Sequence, residues 1–390
     1  MQSVRFALPV FTLALLLLHS CKNEPKQTNA LATPSATPEL TLYAVNVDKL
    51  NLRDQPDKNG KMVLQFPEGY LVEGLGEISE NKEEAVLRDL NYLEPYIKVA
   101  TRSTPPDTGW AFGGGLTLVF TGKRADSPDG EKMKQLTDFL KSLDATKLES
   151  GKKAWEFVAV NLGTASGALA DATFILLEQF LSHMEHSGNF YKMTEAIKWT
   201  SKDYEEIENR RFDVGKNPVT KSLSESGFAL AQGEGMVFPI VDWNRLQAFF
   251  GTKVTPTMKM FIDQRVLEHN KQAWDDGGII LPLEAIADRA AFWEKFNRDN
   301  PHFVLGAETS ESERWMRLVL VCGADNTPTY DYETKEISGD YKKVWAYIQQ
   351  QYPGTKLAAS VTLIEGLCKA EGWKRTKKVE DWQTEFAQKY

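Results

Sequence analysis

The spacing of apolar residues changes twice along the 390-residue chain. An apolar run fills residues 6–18. Apolar and polar residues then alternate in short stretches between about residues 41 and 121, as at 42–47, which predicts short β-strands. In 130–390, apolar residues recur every three or four positions, which predicts helices. The pattern therefore predicts an α+β multidomain protein: a small β module followed by a mostly α-helical domain whose role the pattern does not define.

The N-terminal apolar run has the features of an export signal. Arg5 is the only charge before it, and the run is shorter than the ~20 residues that a membrane-spanning helix needs. The segment 18–21 reads Leu-His-Ser-Cys and resembles the lipobox of bacterial lipoproteins. The resemblance implies that residues 1–20 are a signal peptide and that the Cys21 thiol receives the lipid, with palmitate among the acyl chains. The alternative is a plain secretory signal followed by a chance cysteine.

The segment after the lipobox is predicted to be a tether. Residues 21–40 are rich in Thr, Pro, Ala, Ser and Asn and offer little apolar surface to bury. Lys22 and Glu24 follow the cysteine in an order that resembles the surface-export signals of Bacteroidota lipoproteins. We therefore expect a cell-envelope protein, lipid-anchored to the outer membrane, and either periplasmic or surface-facing.

Four motifs in the β module occur in the order of a known family. They are Leu50–Pro56, Gly69, Tyr96–Val99 and Gly109–Ala111, and together they resemble the bacterial SH3 (SH3b) domain. The resemblance implies an SH3-like β-barrel over residues 41–121. It also implies a targeting module that binds peptidoglycan peptides or another envelope ligand in an aromatic groove. The sequence departs from the family in having Tyr96 where Trp is usual, and in an acidic insertion at 77–95 that would cover or extend the groove.

Four residues are candidates for the ligand groove of this module. Tyr43, Tyr96 and Trp110 would form its wall, and Arg53 would meet a carboxylate of the ligand. The alternative is structural, because buried aromatic residues usually pack a core: the rings would then fill the barrel and Arg53 would fix a turn.

The larger C-terminal region is expected to hold about ten helices. Their apolar stripes fall at residues 136–143, 174–184, 283–296, 315–322, 344–348 and 357–368. Residues 233–239 are interpreted as a loop over the core. Nine of the ten tryptophans follow residue 150, which is compatible with a sugar-stacking surface. However, Trp293, Trp315 and Trp345 lie on apolar faces of predicted helices, which favours packing in the core.

The candidates for reactive chemistry in the helical region all have simpler explanations. His183 and His186 are one turn apart, but no further zinc ligands accompany them, so we expect a solvated helix flank and neither a metal nor a cofactor. Cys322 and Cys368 continue apolar stripes, and no histidine follows either of them. Buried thiols are the main interpretation, and a disulfide or a nucleophile are the alternatives.

Charge and motif content lead to three functional hypotheses. The chain has 46 Lys and Arg against 54 Asp and Glu, a net charge of −8, which argues against nucleic acid as a partner. The favoured hypothesis is a non-catalytic lipoprotein whose SH3b-like module binds a cell-wall or protein ligand. The second is a cell-wall or glycan hydrolase, which would bring carboxylates, or a thiol with a histidine, together in a deep cleft of the helical region. The third is a structural lipoprotein with an occluded barrel.

Overall fold

The computed structural model describes residues 39–87, 90–101, 105–123 and 128–388. These residues belong to one compact unit. The signal peptide, Cys21 and nearly all of the tether lie outside them. The described chain mixes an antiparallel sheet with helices, so the α+β class is confirmed. Within these ranges, no helix has both the length and the apolar character to cross a membrane.

The N-terminal part is a seven-stranded antiparallel sheet with the order β3-β2-β6-β5-β4-β1-β7. Its strands are β1 (Glu39–Val45), β2 (Lys49–Arg53), β3 (Met62–Pro67), β4 (Leu71–Leu87), β5 (Leu90–Ala100), β6 (Thr108–Phe112) and β7 (Leu116–Lys123). These positions match the alternating stretches of the sequence. The acidic insertion at 77–95 becomes the long arms of the β4–β5 hairpin.

The expectation of a closed SH3-like barrel was wrong for the described residues. Strands β3 and β7 remain at the two edges of an open sheet, and β2 pairs with β6 at a single position, Arg53 opposite Trp110. The reason lies in β1, which is apolar on both faces. Tyr43 and Val45 turn toward the small core of the sheet, whereas Leu42 and Ala44 turn toward the helices. The helical domain therefore covers one face of the strands around β1, and the sheet does not close on itself.

Within the described residues, the helical part contains thirteen α-helices, of which nine have eleven residues or more. They are α1 (Pro128–Ser142), α2 (Leu148–Leu162), α3 (Ala168–Ser187), α4 (Tyr191–Glu195), α5 (Ser201–Glu208), α6 (Pro218–Glu225), α7 (Trp243–Phe250), α8 (Pro256–Asn270), α9 (Leu283–Asp299), α10 (Gly306–Cys322), α11 (Gly339–Gln351), α12 (Lys356–Ala370) and α13 (Lys377–Ala387). The apolar stripes of the sequence fall on α1, α3 and α9–α12. These stripes pack into one continuous core, in which Trp293 and Trp345 are fully buried.

Three two-stranded hairpins interrupt the helices. They are β8 (Phe228–Gly233) with β9 (Met236–Val241), β10 (Trp274–Asp275) with β11 (Gly278–Ile279), and β12 (Gly323–Ala324) with β13 (Thr327–Pro328). The interpretation of residues 233–239 as a loop was wrong, because β8 and β9 pair throughout this segment. Glu234 and Gly235 both have positive φ, as the tight primed turns of β-hairpins require. This hairpin forms one wall of a cleft in the helical part.

Candidate functional site

A cleft of about 480 Å³ opens in the helical part, bordered by α3, α8, α10 and the β8–β9 hairpin. Six ionisable groups with displaced pKa values line it, namely Glu178, Glu185, Arg210, Arg265, His269 and Arg289. Its lining includes Glu178, Glu185, Arg265, Glu268, His269 and Trp315. The first two are on α3, the next three on α8 and the last on α10.

Glu178 is the least compensated carboxyl group in the cleft. Its side chain is half-buried, and no residue in the described ranges forms a hydrogen bond with it. Burial raises the pKa of Glu178 to about 8. The charges of Glu308 and Glu185 raise this pKa further, while Arg265 opposes them. A carboxyl group in this setting holds its proton at neutral pH and can donate it.

Glu185 lies two helical turns beyond Glu178 on the same helix. Seven residues correspond to a rise of about 10.5 Å between the two Cα atoms. The Oε2 atom of Glu185 accepts a 2.7 Å hydrogen bond from the backbone N–H of Val241, on strand β9. Burial raises the pKa of Glu185, but this hydrogen bond and the nearby His186 lower it. The two carboxyl groups on α3 therefore differ in environment: Glu178 accepts no hydrogen bond from the described residues, whereas Glu185 accepts one, although burial outweighs it and the pKa of Glu185 stays above its usual value.

Arg265 links the carboxylates around the cleft. Its guanidinium group contacts Glu308 at 2.8 Å and Glu268 at 3.3 Å. Glu268 also accepts hydrogen bonds from Trp293 Nε1 at 2.7 Å and Gln264 Nε2 at 2.8 Å. Burial opposes the charge of Arg265, but the neighbouring carboxylates outweigh it and raise the pKa of Arg265 above its usual value. This network holds a fixed positive charge close to Glu178.

His269 lies beside these groups, and its surroundings favour the neutral imidazole ring. Burial lowers the pKa of His269 to about 4, and the positive charges of Arg210 and Arg265 lower it further. Its buried Nε2 atom has no hydrogen-bond partner in the described chain. A neutral imidazole can accept or donate a hydrogen bond to a bound molecule without adding charge.

Two arginines along the cleft have no carboxylate partner within the described residues. Arg210 donates to the carbonyl oxygens of His269 and Leu230, and Arg289 donates to the carbonyl oxygen of Lys271 at 2.7 Å. Both therefore stabilise the C-terminal end of α8, where free carbonyl groups attract positive charge. Because neither forms an ion pair with a described residue, their positive charge also makes this side of the cleft suitable for an anionic group.

Two tryptophans form the rim of the cleft. The rings of Trp274 and Trp315 meet edge to face with centroids 6.2 Å apart. Trp315 is 51% exposed, so the expectation that it packs in the core was wrong. The buried stripe of α10 includes Met316, Val319 and Leu320, whereas Trp315 lies on the flank that turns to the cleft. An exposed indole at the edge of a polar cleft offers a flat apolar surface for stacking.

None of the thiols and histidines singled out in the sequence is among the described residues that line this cleft. Cys322 and Cys368 are free thiols, and burial raises the pKa of each to about 12. His183 and His186 are exposed on α3, where their rings hydrogen-bond to Ser187 and to the carbonyl of Ser182. Within the described ranges, no group of three or more His, Cys, Asp or Glu residues is arranged to hold a metal ion.

The structure brings two of the four groove candidates, Arg53 and Trp110, together with Lys98 on the outer face of the sheet. Arg53 and Lys98 are both paired with Trp110 across neighbouring strands, and paired residues share a face. The Lys98 ammonium group lies 5.6 Å from the Trp110 ring centroid, and Arg53 Nη1 donates to the Gly60 carbonyl at 2.7 Å. Trp110 is half-buried. We call Arg53, Lys98 and Trp110 the outer-face patch.

The other two groove candidates are covered or turned away. Tyr96 shares the outer face but is only 5% exposed, because Glu83 of the inserted hairpin accepts a 2.8 Å hydrogen bond from its hydroxyl group. Tyr43 is half-buried against the small core of the sheet and close to Gly74. The inserted segment therefore closes the part of the groove that Tyr96 would have lined.

The carboxyl groups of the cleft were not singled out from the sequence. The region carries many Glu residues, and a spacing of seven on one helix is common on solvated faces. The one available signal is that Glu178 and Glu185 lie on a helix in which Leu177, Leu181 and Met184 form a fully buried apolar stripe. A charge on such a helix has to lie in a cleft or at a domain contact.

No protein-family model, curated protein or solved structure matches the chain.

Proposed function

We propose that this protein is a glycan hydrolase of the cell envelope whose acid–base pair is Glu178 and Glu185. The observation that carries the proposal is the position of Glu178: a carboxyl group without a hydrogen-bond partner, in a cleft with a second carboxylate on the same helix and an exposed tryptophan at the rim. Arg265 holds the carboxylates of Glu268 and Glu308 near it through ion pairs. This is the arrangement expected for general acid–base cleavage of a glycosidic bond.

In the proposed reaction, Glu178 acts as the acid and Glu185 as the base. An inverting reaction of this kind needs a water molecule beside the sugar, which Glu185 would activate. Glu178 gives its proton to the leaving oxygen as the glycosidic C–O bond breaks. Glu185 takes a proton from the water, whose oxygen bonds to the anomeric carbon. Glu185 then releases its proton to solvent and Glu178 takes one up from solvent, which returns the pair to its starting state.

The rim and the arginines indicate the substrate class. Trp315 offers a stacking surface for a sugar ring, and Arg210 and Arg289 offer positive charge to a carboxylate on the polymer. Peptidoglycan combines sugar rings with carboxylates, and it fits the envelope location expected from the N-terminal sequence. The proposed substrate is therefore a carboxylate-bearing wall glycan.

The test is the release of new reducing ends from purified peptidoglycan and from a neutral glucan by the mature protein. We expect cleavage of peptidoglycan in preference to the glucan. Glu178→Gln should lower the rate by a factor of about 10² to 10⁴, because an amide cannot supply the proton. Glu149→Gln, an exposed change of the same type on α2, is the control. No release by the wild-type protein, or a wild-type rate for Glu178→Gln, contradicts the proposal.

A second proposal concerns the sheet and is favoured by the outer-face patch. There, two basic groups flank a half-buried indole. We propose that this patch binds a carboxylate-bearing wall or protein ligand while a lipid on Cys21 holds the protein at the outer membrane. Retention of the mature protein on peptidoglycan, compared with Trp110→Ala, tests the binding. Equal retention of the two proteins contradicts it.

A further inference from the structure

The sheet contacts the helical part at the segment that leads into α10. Tyr92 Oη donates to the Pro301 carbonyl at 2.8 Å, and Thr117 Oγ1 donates to the His302 carbonyl. A few residues later, the carboxylate of Glu68 accepts the backbone N–H groups of Ala307 and Glu308, at 2.6 and 2.9 Å. The first turn of α10 is therefore held by side chains of the sheet.

The same turn of the sheet also contacts α3. The Glu68 carbonyl accepts a 3.3 Å hydrogen bond from Gln179 Nε2, and Gln179 is the residue next to Glu178. Gly69 has φ +74° and is packed so closely that a Cβ there would overlap the Gln179 amide group. The pair Glu68 and Gly69 thus touches α3 and α10, two of the three helices that carry groups of the cleft.

The contact at α10 continues into the charges of the cleft. Glu308 receives the Glu68 cap through its backbone N–H, and its own carboxylate contacts Arg265 at 2.8 Å. Arg265 in turn contacts Glu268. The charged groups that face Glu178 come from three helices: Glu185 on α3, Arg265 and Glu268 on α8, and Glu308 on α10.

We infer that Glu68 is a positioning residue, through which the sheet fixes Glu308 and Arg265 and so sets the charge balance around Glu178. The inference rests on the proposed function for its significance, since it concerns the same cleft. It assigns the sheet a role beyond ligand binding: an event that displaces the turn at Glu68 and Gly69 would change the protonation of the proposed acid. A carboxylate at a helix N-terminus is well suited to this task, because it binds free N–H groups and the positive end of the helix dipole.

The test measures the pKa of Glu178 directly and needs no substrate. The full mature chain is labelled with ¹³C at glutamate side chains, and the Glu178 signal is assigned as the one missing from Glu178→Gln. In Glu68→Ala, Glu308 loses its fixed position and leaves Arg265 less compensated, so the pKa of Glu178 should fall by about 1 unit or more. Glu68→Gln keeps one acceptor oxygen and should give a smaller fall.

Glu294 provides a matched control. Its carboxylate caps α12 in the same way, accepting the N–H groups of Lys356 and Leu357 at 2.6 and 3.1 Å, and it does not line the cleft. Glu294→Ala should leave the pKa of Glu178 unchanged. An unchanged pKa in folded Glu68→Ala, or equal shifts in both variants, overturns the inference.

A further variant keeps the test decisive if Glu68→Ala does not fold. Glu308→Gln retains the backbone cap but removes the charge that acts on Arg265 and Glu178, so it should also lower the pKa of Glu178. No fall in Glu308→Gln contradicts the inference. The proposed function fails on a different observation, namely unaltered glycan cleavage by Glu178→Gln, so the two failures are distinguishable.

Discussion

The hydroxyl group of Tyr96 donates a 2.8 Å hydrogen bond to the carboxylate of Glu83, which belongs to the inserted arm of β4. Burial of the ring, reinforced by this carboxylate, raises the pKa of Tyr96 above its usual value. The residue that the SH3b resemblance placed in the groove wall is thus engaged within the sheet. Its partner comes from the segment in which the sequence departs from that family.

Tyr96→Phe is therefore expected to affect stability and not ligand binding. Removing the hydroxyl group should cost about 1 kcal/mol of unfolding free energy, measured by urea denaturation. Retention on peptidoglycan should equal that of the wild-type protein. A loss of retention as large as that expected for Trp110→Ala would instead place Tyr96 in a binding surface.

The buried carboxyl of Glu178 predicts how stability depends on pH. The pKa of Glu178 is about 8 in the folded protein against an ordinary 4.5, so between these values the folded state holds a proton that the unfolded state has released. Its contribution to stability is complete below pH 4.5 and is lost as pH rises toward 8. Thermal melts from pH 4.5 to 8.5 should show a smaller decline for Glu178→Gln than for the wild-type protein. Parallel curves would contradict this.

Trp315 and Trp345 form a matched pair of tryptophans on neighbouring helices. Trp315→Ala should lower affinity for wall fragments about 3- to 10-fold, by loss of the stacking surface, and should cost less than about 1 kcal/mol of stability. Trp345 is fully buried and donates from Nε1 to the Leu320 carbonyl at 2.8 Å. Trp345→Ala should cost about 3 to 5 kcal/mol. Calorimetry and denaturant titration measure the two effects. Unchanged affinity in Trp315→Ala would count against a substrate-binding rim.

The two free thiols should be inert in the folded protein. With the pKa raised to about 12 at both Cys322 and Cys368, the thiolate fraction at pH 8 is about a thousandfold below that of an ordinary cysteine. Reaction of the mature protein with a chromogenic disulfide reagent should therefore be slow in buffer and fast in urea. Rapid labelling of either thiol in the native protein would show an accessible and activated site.

Lipidation predicts where the protein fractionates. Cys21→Ser removes the thiol that would be acylated, so the protein should leave the membrane fraction, because acyl chains supply the binding energy for membrane association. Fractionation, with mass spectrometry of the N-terminal peptide, measures this. An unmodified Cys21 on wild-type protein would contradict the anchor.

The sequence predicted elements well where their pattern was local. The strands of the sheet followed from alternation, and the helices α9–α12 followed from apolar stripes. Closure of the sheet could not be predicted in this way, because it depends on where each face of β1 is buried. In β1, Leu42 and Ala44 alternate with Tyr43 and Val45. All four residues are apolar, so the sequence pattern does not distinguish the two faces of the strand. Only the tertiary structure shows that the two faces serve different cores.

The cleft was less predictable because its groups come from distant parts of the chain. Glu178, Arg265 and Glu308 are separated by many residues, and each alone is compatible with an exposed helix. The hairpin at β8 and β9 was also missed, because its two-residue turn at Glu234 and Gly235 was interpreted as part of a loop. The chemistry of such a site depends on which helices meet, and periodicity does not contain that information.

The close fit of Gly69 against Gln179 has a consequence for the history of this protein. Any side chain at position 69 would adopt an unfavourable backbone conformation and would displace the Gln179 amide group, which donates to the Glu68 carbonyl. A sheet joined to a different helical part would therefore keep this contact only if that part offered a matching side chain. We expect the two halves of the chain to be inherited together. A chimera that joins either half to a foreign partner should lose its native packing first at this turn.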